Sequence, residues 1–382
     1  MIIRIFFTGG ATGGHLLPIK NIINEIKKTD YGYDFEFYWV GPKPKFPFEF
    51  KDLKTIFLPD FKIRRYFSLR TFLDFLILPY IILKIFFVFY IKMPNIVFSK
   101  GGSVSFFVNF IAYILNIPVL IHESDSIPGL SNKFSSFFAE TIFLSFKNSI
   151  DFFPKKVKNK EFILVGHPID EDLFSITKFT NEDYEKFKID PNKKTILILG
   201  GSQGAQEIND IIFEILKNLV KKYQIIHITG KNLYEDAKAL SNFILKNISE
   251  KENYHLFDFV DQKTLAKFYS IASLVISRAG SGTIFEVAFW QIPSILIPLK
   301  KQIVGIHQIK NALEYLNYGA CRVIESENLK PNILLFNIEE ILQSQKEIEK
   351  MKLGAKNFYI PGAKRKIVEV IIRKLEYYYG KD

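Results

Sequence analysis

Short runs of β-branched and aromatic residues recur along the chain, separated by longer stretches whose apolar positions repeat at helical spacing. In the first half, runs at 2–7, 35–40, 95–99, 118–121, 141–144 and 162–165 predict strands. Segments 15–28, 70–91, 104–115 and 129–138 predict helices between some of them. This alternation predicts a parallel sheet covered by helices. After GHPID (166–170) the pattern restarts with TILILG (195–200), the turn GSQG and the periodic helix INDIIFEILKNL. Further strands fit 224–229, 255–260, 273–277 and 294–298. Two glycine-rich strand–loop–helix starts predict two similar α/β domains, residues 1–168 and 169–382, with the ligand in their cleft. Spacing alone leaves a single large α/β domain as the alternative. In the tail 356–382, Val368, Ile371, Ile372 and Leu375 share one helical face, so the tail docks on a core. Packing back on the N-terminal domain is one option that periodicity leaves open.

Segment 72–91, FLDFLILPYIILKIFFVFYI, matches a membrane span in length. Asp74, Pro79 and Lys84 interrupt it, and a crossing would put two glycine loops of one sheet on opposite sides of a bilayer. A crossing is therefore rejected. An ordinary core helix or an oligomer contact is the bland alternative, but a helix covering an open sheet buries one face only. This one is apolar nearly all round and has Arg64, Arg65, Arg70 and Lys92 at its flanks. An interfacial helix fits, with Phe75, Leu76, Phe86 and Phe87 toward lipid and the arginines toward its phosphates.

Composition narrows the classes. The 382 residues are 48% apolar, enough for two folded domains. A single cysteine, Cys321, excludes a disulfide framework and reads as a packed thiol at a strand start. MIIRIFF lacks the features of a secretory signal, so a cytoplasmic location is expected. The formal charge of +11 suits nucleic acid, an anionic membrane surface or phosphorylated small molecules. No nucleic-acid-binding motif accompanies it, so no nucleic acid partner is expected.

The candidate chemistry lies in the loops. TGGATGGH (8–15) follows the first strand, and its glycines Gly10, Gly13 and Gly14 permit positive φ and close approach of a ligand. The helix that follows offers unpaired amides to an anion such as diphosphate. The spacing GGxxGG is not the dinucleotide fingerprint, and the P-loop lysine is absent, which disfavours nicotinamide and ATP. His15, at a helix start, is expected neutral and able to accept a proton, or else merely to cap the turn. GSQGAQEIN (201–209) repeats the loop device with Ser202 and Gln203 as extra donors. In SRAGSGTIFE (277–286), Thr283 begins a helix and Glu286 lies one turn on. There a carboxylate can bind a vicinal diol, or can simply complement the helix start.

Together these stretches resemble the bacterial MurG family. The matching pieces are GATGGHLLP (10–18), SKGGSVS (99–105), HESDSIPGLSNK (122–133), GHP (166–168), GSQGAQEIN, SRAGSGTIFEVAFWQIPSILIP (277–298) and HQIKNA (307–312). The resemblance implies the GT-B architecture, two Rossmann-like α/β domains facing across a cleft. It implies an inverting transfer of N-acetylglucosamine from UDP-N-acetylglucosamine to lipid I, an undecaprenyl-diphosphate carrying N-acetylmuramyl-pentapeptide. The implied location is peripheral, on the cytoplasmic face of the plasma membrane. By this likeness Glu286 holds the ribose, and Val260, after Phe259, reads the uracil. Ser202, Gln203 and Gly204 join Ser281, Gly282 and Thr283 around the donor diphosphate, with Thr12, Gly13 and Gly14 also counted at the donor. Gln308 and Asn311, with His307 as a further candidate, face the sugar. Gly101 and Gly102, with Gly13 and Gly14, meet the acceptor diphosphate, and His122, Glu123 and Asp125 belong to the acceptor loop. His15 is the preferred base for the acceptor's 4-hydroxyl, with His122 or Glu123 behind it. The scheme needs no metal or other cofactor, and Asp170-Glu171-Asp172 reads as a linker and helix start.

Three departures from the family pattern stand out: Ala11 replaces glycine, HESD replaces HEQN, and Asp170 stands where arginine is common. The last two favour, as alternative, a related transferase acting on another lipid-linked sugar in surface polysaccharide assembly. An epimerase of nucleotide sugars shares the two-domain plan but has no need of an apolar membrane helix. A non-catalytic nucleotide-sugar-binding membrane scaffold is the reading from outside enzymology.

Overall fold

The computed structural model describes residues 1–44, 48–51, 53–60, 69–200, 205–300 and 306–380, apart from the side chains of 69–75. The chain divides into two compact units, Met1–Ile169 with Ile360–Asp382, and Asp170–Tyr359.

The first unit holds a parallel sheet of β1 (Ile2–Thr8), β2 (Asp34–Gly41), β3 (Lys54–Phe57), β4 (Ile96–Ser99), β5 (Val119–Glu123), β6 (Thr141–Leu144) and β7 (Glu161–Leu164). Their order is β3-β2-β1-β4-β5-β6-β7. Strands β4, β5 and β6 are buried at every position, as parallel strands covered on both faces must be. Alternation along β1 divides two cores. Ile3, Ile5 and Phe7 pack with Leu16 and Ile19 of the helix Gly13–Ile26. Phe6 faces Ile81, Ile85 and Phe89 of the helix Leu69–Lys92 and Val104 and Val108 of the helix Ser103–Ile114.

The tail helix Ala363–Tyr379 belongs to this unit, so the second unit ends at Tyr359 instead of running to 382. Ile367, Val368, Ile371 and Leu375 are buried in the core that contains the helix Gly13–Ile26. Ion pairs of Lys374 with Glu140 (3.1 Å) and Arg373 with Glu161 (2.5 Å) flank them and add little beside the apolar face.

The second unit has a parallel sheet of β8 (Thr195–Leu199), β9 (Gln224–Ile228), β10 (Tyr254–Phe257), β11 (Ala272–Ser277), β12 (Ser294–Leu296) and β13 (Cys321–Val323). Their order is β10-β9-β8-β11-β12-β13. Each sheet therefore has one pair of neighbours from which the chain winds in opposite directions, β1 with β4 and β8 with β11. Loops leaving such a pair diverge and open a crevice at the strands' C-terminal ends. TGGATGGH and SKGGS flank that point in the first unit, and SRAGSGT follows β11 in the second.

The helix Leu69–Lys92 combines two of the sequence expectations. Ile81, Ile85 and Phe89, four residues apart, are buried in the core. The opposite face exposes Leu76, Tyr80, Leu83, Phe87, Tyr90 and Ile91. Among the described residues no helix is long and apolar enough to cross a membrane. Arg64 and Arg65 lie outside the described residues, as do the side chains of Arg70 and Phe75.

The tail assignment carries a prediction. Ile371 is fully buried, so Ile371→Ala should destabilise the first unit by about 2–5 kcal/mol. Hydrogen exchange resolved by segment should show faster opening in residues 1–169 with 170–359 unchanged; the reverse distribution would refute the packing.

Candidate active site

In the first unit the site grows from the junction of β1 and β4. A Cβ built on Gly102, whose φ is +105°, would stand 2.9 Å from the amide nitrogen of Gly10. The two loops thus touch backbone to backbone, and an L side chain at 102 has neither the room nor the dihedral. Gly10, Gly13 and Gly14 do not use the positive φ open to them: among the described residues the left-handed glycines of this unit are Gly32, Gly101, Gly102, Gly166 and Gly362. Gly10 is bare for another reason, since its Cβ would meet the His15 ring at 2.9 Å. Around Gly14 there is open space instead. Ala11 takes no positive φ and its methyl is buried, so it fits the loop without strain.

The contact sets two helix starts side by side. Neither Gly13–Ile26, capped by Thr12, nor Ser103–Ile114, capped by Gly102, has a side-chain cap on its first amides. Both therefore keep free N–H donors and the positive ends of their dipoles. His15, half-buried, is tied through Nδ1 to Thr12 Oγ1 at 3.1 Å, which leaves Nε2 for a ligand. Burial first, and then the nearby Lys100 charge, lowers its pKa to about 4. It is neutral, as expected, but burial and a lysine hold it so, where the helix start had been held responsible.

His122 and Glu123 close the site from below and do not face it. His122 is fully buried, accepts from Lys100 Nζ at Nδ1 (2.5 Å) and donates from Nε2 to the Gly166 carbonyl (3.1 Å). With both nitrogens engaged it offers no base. Glu123 is buried too, and accepts from Asp125 N (2.9 Å), Gly129 N (3.1 Å) and Asn132 Nδ2 (2.8 Å). Its carboxylate folds the loop 124–129, with Asp125 half-buried on that loop. Both side chains are spent on holding the local backbone, Glu123 on its loop and His122 on Gly166, in place of the ligand contact expected of them. Lys100, Asn132 and His167 complete the network and carried no role in the sequence reading. The only signal for Lys100 was a cation directly after a buried strand.

In the second unit, the helix Ser281–Trp290 starts at the C-terminal end of β11, again with no side-chain cap, and a Cβ at Gly280 would meet nothing within 4 Å. Ser281, Gly282 and Thr283 form its open first turn, and Glu286 follows, half-buried. Tyr269 Oη donates to Glu286 Oε2 at 2.9 Å, leaving Oε1 for a ligand. Burial lifts this carboxyl to about 7 against the opposing pull of the Tyr269 hydroxyl. Tyr269 was not singled out in the sequence, because its pairing with Glu286 links two elements that periodicity treats apart.

Strand β10 stops at Phe257, short of the expected 260, where the Asp258 side chain takes the Phe259 amide. That releases Phe259, 48% exposed, and leaves the Val260 N–H and C=O without partners among the described residues. Gln308 accepts from Leu299 N at 3.1 Å and so shapes the loop after β12. Asn311, expected at the sugar, is fully buried and donates to the Ala279 carbonyl at 3.3 Å, behind the loop instead of in it. Ser202, Gln203 and Gly204 lie outside the described residues. Asp170 caps the helix Glu171–Ile176 by accepting from Leu173 N at 3.4 Å. Among the described residues no group of His, Cys, Asp or Glu could hold a metal ion.

Residues 5–144 match the glycosyltransferase family 28 N-terminal domain and residues 195–367 the family 28 C-terminal domain. Two relatives extend the match. One, from Borreliella burgdorferi, is 36% identical over 97% of both chains, and one from Clostridium novyi is 34% identical over 93% of this chain and 95% of its own. The chain belongs to the MurG-like glycosyltransferases of family 28. Both relatives carry the name UDP-N-acetylglucosamine–N-acetylmuramyl-(pentapeptide) pyrophosphoryl-undecaprenol N-acetylglucosamine transferase. The fold has the GT-B architecture. The Acinetobacter baumannii MurG structure superposes with a TM-score of 0.70 at 23% identity, covering 97% of this chain and 99% of that one. A UDP-N-acetylglucosamine 2-epimerase from Neisseria meningitidis, bound to UDP-N-acetylglucosamine, gives 0.67 at 15%, covering 98% and 100%. Such low-identity likenesses speak to fold alone.

Removing the hydroxyl in Tyr269→Phe takes a donor from the ionised carboxylate, so the Glu286 pKa should rise above about 7 by up to about one unit. Titration of the Glu286 side-chain carboxyl by carbon-13 NMR reads this directly. An unchanged or lowered midpoint would mean that the tyrosine does not hold the carboxylate.

Proposed function

We propose that this chain transfers N-acetylglucosamine from UDP-N-acetylglucosamine to the 4-hydroxyl of N-acetylmuramyl-pentapeptide on undecaprenyl diphosphate, converting lipid I to lipid II. The observation that carries the proposal is the end-to-end identity of 36% to a relative named for that transfer. The two glycine-bared switch points agree with it, since each offers uncapped helix amides to a diphosphate.

The second unit takes the donor. Glu286 accepts hydrogen bonds from the ribose diol, the unpaired Val260 backbone reads the uracil edge, and the first turn 281–283 meets the diphosphate. As the bond from C1 to the diphosphate breaks, these amides meet the growing negative charge, so UDP leaves without a proton. The first unit takes the acceptor, with its diphosphate at the helix starts after Thr12 and Gly102. His15 Nε2 removes the hydroxyl proton as that oxygen attacks C1 in line, which inverts the anomeric centre. A neutral imidazole is the required form. Its lowered pKa makes it a reluctant base until the acceptor's negative charge offsets the Lys100 field.

The helix Leu69–Lys92, with its exposed apolar face, packs beside the helix Ser103–Ile114, which exposes Phe110 and Tyr113. An apolar face of this kind docks peripherally at the cytoplasmic surface of the plasma membrane, where the lipid-anchored acceptor resides. Lys92 at its end is exposed and suits anionic headgroups.

His15→Ala should lower kcat by about 10²–10⁴ while UDP-N-acetylglucosamine affinity stays unchanged. A radiolabelled transfer assay offering lipid I beside other lipid-linked acceptors measures this. Full turnover by the variant would remove the base, and preference for another acceptor would remove the substrate assignment. Phe87, 57% exposed, should be dispensable for folding, whereas Phe87→Asp should weaken binding to anionic vesicles about tenfold or more. Unchanged vesicle sedimentation would count against the membrane face.

A further inference from the structure

Lys100 ends the loop side of β4, directly before the glycine pair, and is only 2% exposed. A buried ammonium ordinarily sits against a carboxylate, because desolvation of an unpaired charge is costly. Lys100 has no carboxylate within ion-pair distance among the described residues, although Glu123 and Asp125 act on it from further away. Its two hydrogen bonds go to neutral groups, His122 Nδ1 and Ser124 Oγ, both at 2.5 Å. His122 is locked from behind by Gly166. Ser124 differs. It is half-buried, and its own O–H has no acceptor among the described residues. A hydroxyl that accepts from an ammonium becomes a stronger donor, because the cation polarises it. The arrangement is a buried positive charge that reaches the surface through a single hydroxyl.

Its surroundings favour an anion as the group that completes it. The Lys100 Cβ lies against the first glycine loop, 3.5 Å from a Cβ built on Gly9. The uncapped start of the helix Ser103–Ile114 follows three residues after Lys100. The three histidines nearby, His15, His122 and His167, are all driven toward the neutral form by burial and by Lys100 itself.

We infer that Lys100 and Ser124 form an anion receptor in the first unit, the Ser124 hydroxyl donating to a phosphoryl oxygen of the lipid-linked acceptor with the ammonium behind it. The inference rests on the acceptor reading given above and names the side chains that would carry charge recognition within it. The same chemistry could serve the nucleotide's diphosphate, and the experiment separates the two sources.

Steady-state kinetics on the full-length protein, varying lipid-linked acceptor and UDP-N-acetylglucosamine separately, test it. Ser124→Ala should raise the acceptor KM about tenfold with the donor KM unchanged. Lys100→Met should raise it further, and the double variant should be no worse than Lys100→Met alone, since the hydroxyl acts only through the charge. An unchanged acceptor KM in Ser124→Ala, a change confined to the donor KM, or full additivity would overturn the inference. If Lys100→Met does not fold, the Ser124→Ala arm decides alone. A calorimetric titration of inorganic pyrophosphate with the nucleotide site saturated by UDP needs no lipid acceptor. Weaker binding by Ser124→Ala than by wild type supports the receptor, and equal binding refutes it. Wild-type protein that binds pyrophosphate in this way but transfers no sugar to lipid I would sink the functional reading and leave the receptor standing.

Discussion

The approach of Gly102 to Gly10 governs the first unit. With a Cβ at 102 only 2.9 Å from a backbone nitrogen, the two loops leaving β1 and β4 could not close on each other. Because they do close, two helix starts lie side by side with unsatisfied amides, and the His15 ring folds down over Gly10. Lys100, one residue before the pair, is driven beneath the surface by the same closure. A topological switch point supplies the crevice. Glycine packing converts that crevice into a surface that is positive by geometry, before any side-chain charge is counted.

The electrostatics follow from burial more than from pairing. Three histidines surround one lysine, and each loses basicity first to desolvation and then to the lysine's charge. Lys100 in turn is lowered to about 7 by burial, although Glu123 and Asp125 pull the other way. Glu123 is itself raised to about 7 by burial and by Asp125. The region is therefore a set of groups each displaced toward neutrality. An arriving dianion would shift all of them in the same sense, restoring charge to the lysine and basicity to the imidazoles. In the role of base proposed for His15, such a shift would strengthen the imidazole as the acceptor binds.

Much of this was legible in the sequence, and the gaps have physical causes. Strand β6 lies where TIFL predicts it, because a strand buried on both faces is a continuous apolar run. Strand β3 escaped as a sheet edge, where a short half-covered segment carries too little apolar signal, whereas β13 begins at Cys321, where a strand start is expected. The loops that carry chemistry were visible through their glycines. The division of labour within HESD was not, since a buried glutamate that folds a loop and an exposed one that binds a ligand are the same letter. Asn311 illustrates the point in the second unit: its amide serves Ala279 from behind. The position of Glu286 is legible in the motif, but only the tyrosine opposite, seventeen residues away, shows why one carboxylate oxygen is held and the other left for a ligand.

The helix Leu69–Lys92 shows why hydropathy alone could not choose between core and interface. Both faces are apolar, so no amphipathic contrast marks the boundary. Burial draws it instead: Ile81, Ile85 and Phe89 fill the core beside Phe6, while Leu83, Phe87 and Tyr90 remain uncovered. Lys84, the one charge in the middle of the helix, does not interrupt the exposed face, because its ammonium turns back to the Phe57 carbonyl at 3.0 Å. A helix that needed only to cover a sheet would gain solubility from polar residues on its outer side. Keeping phenylalanine and leucine there while withdrawing the lysine makes sense when the outer side is itself a binding surface, and the lipid docking proposed for it asks for no more specific complement than an apolar face.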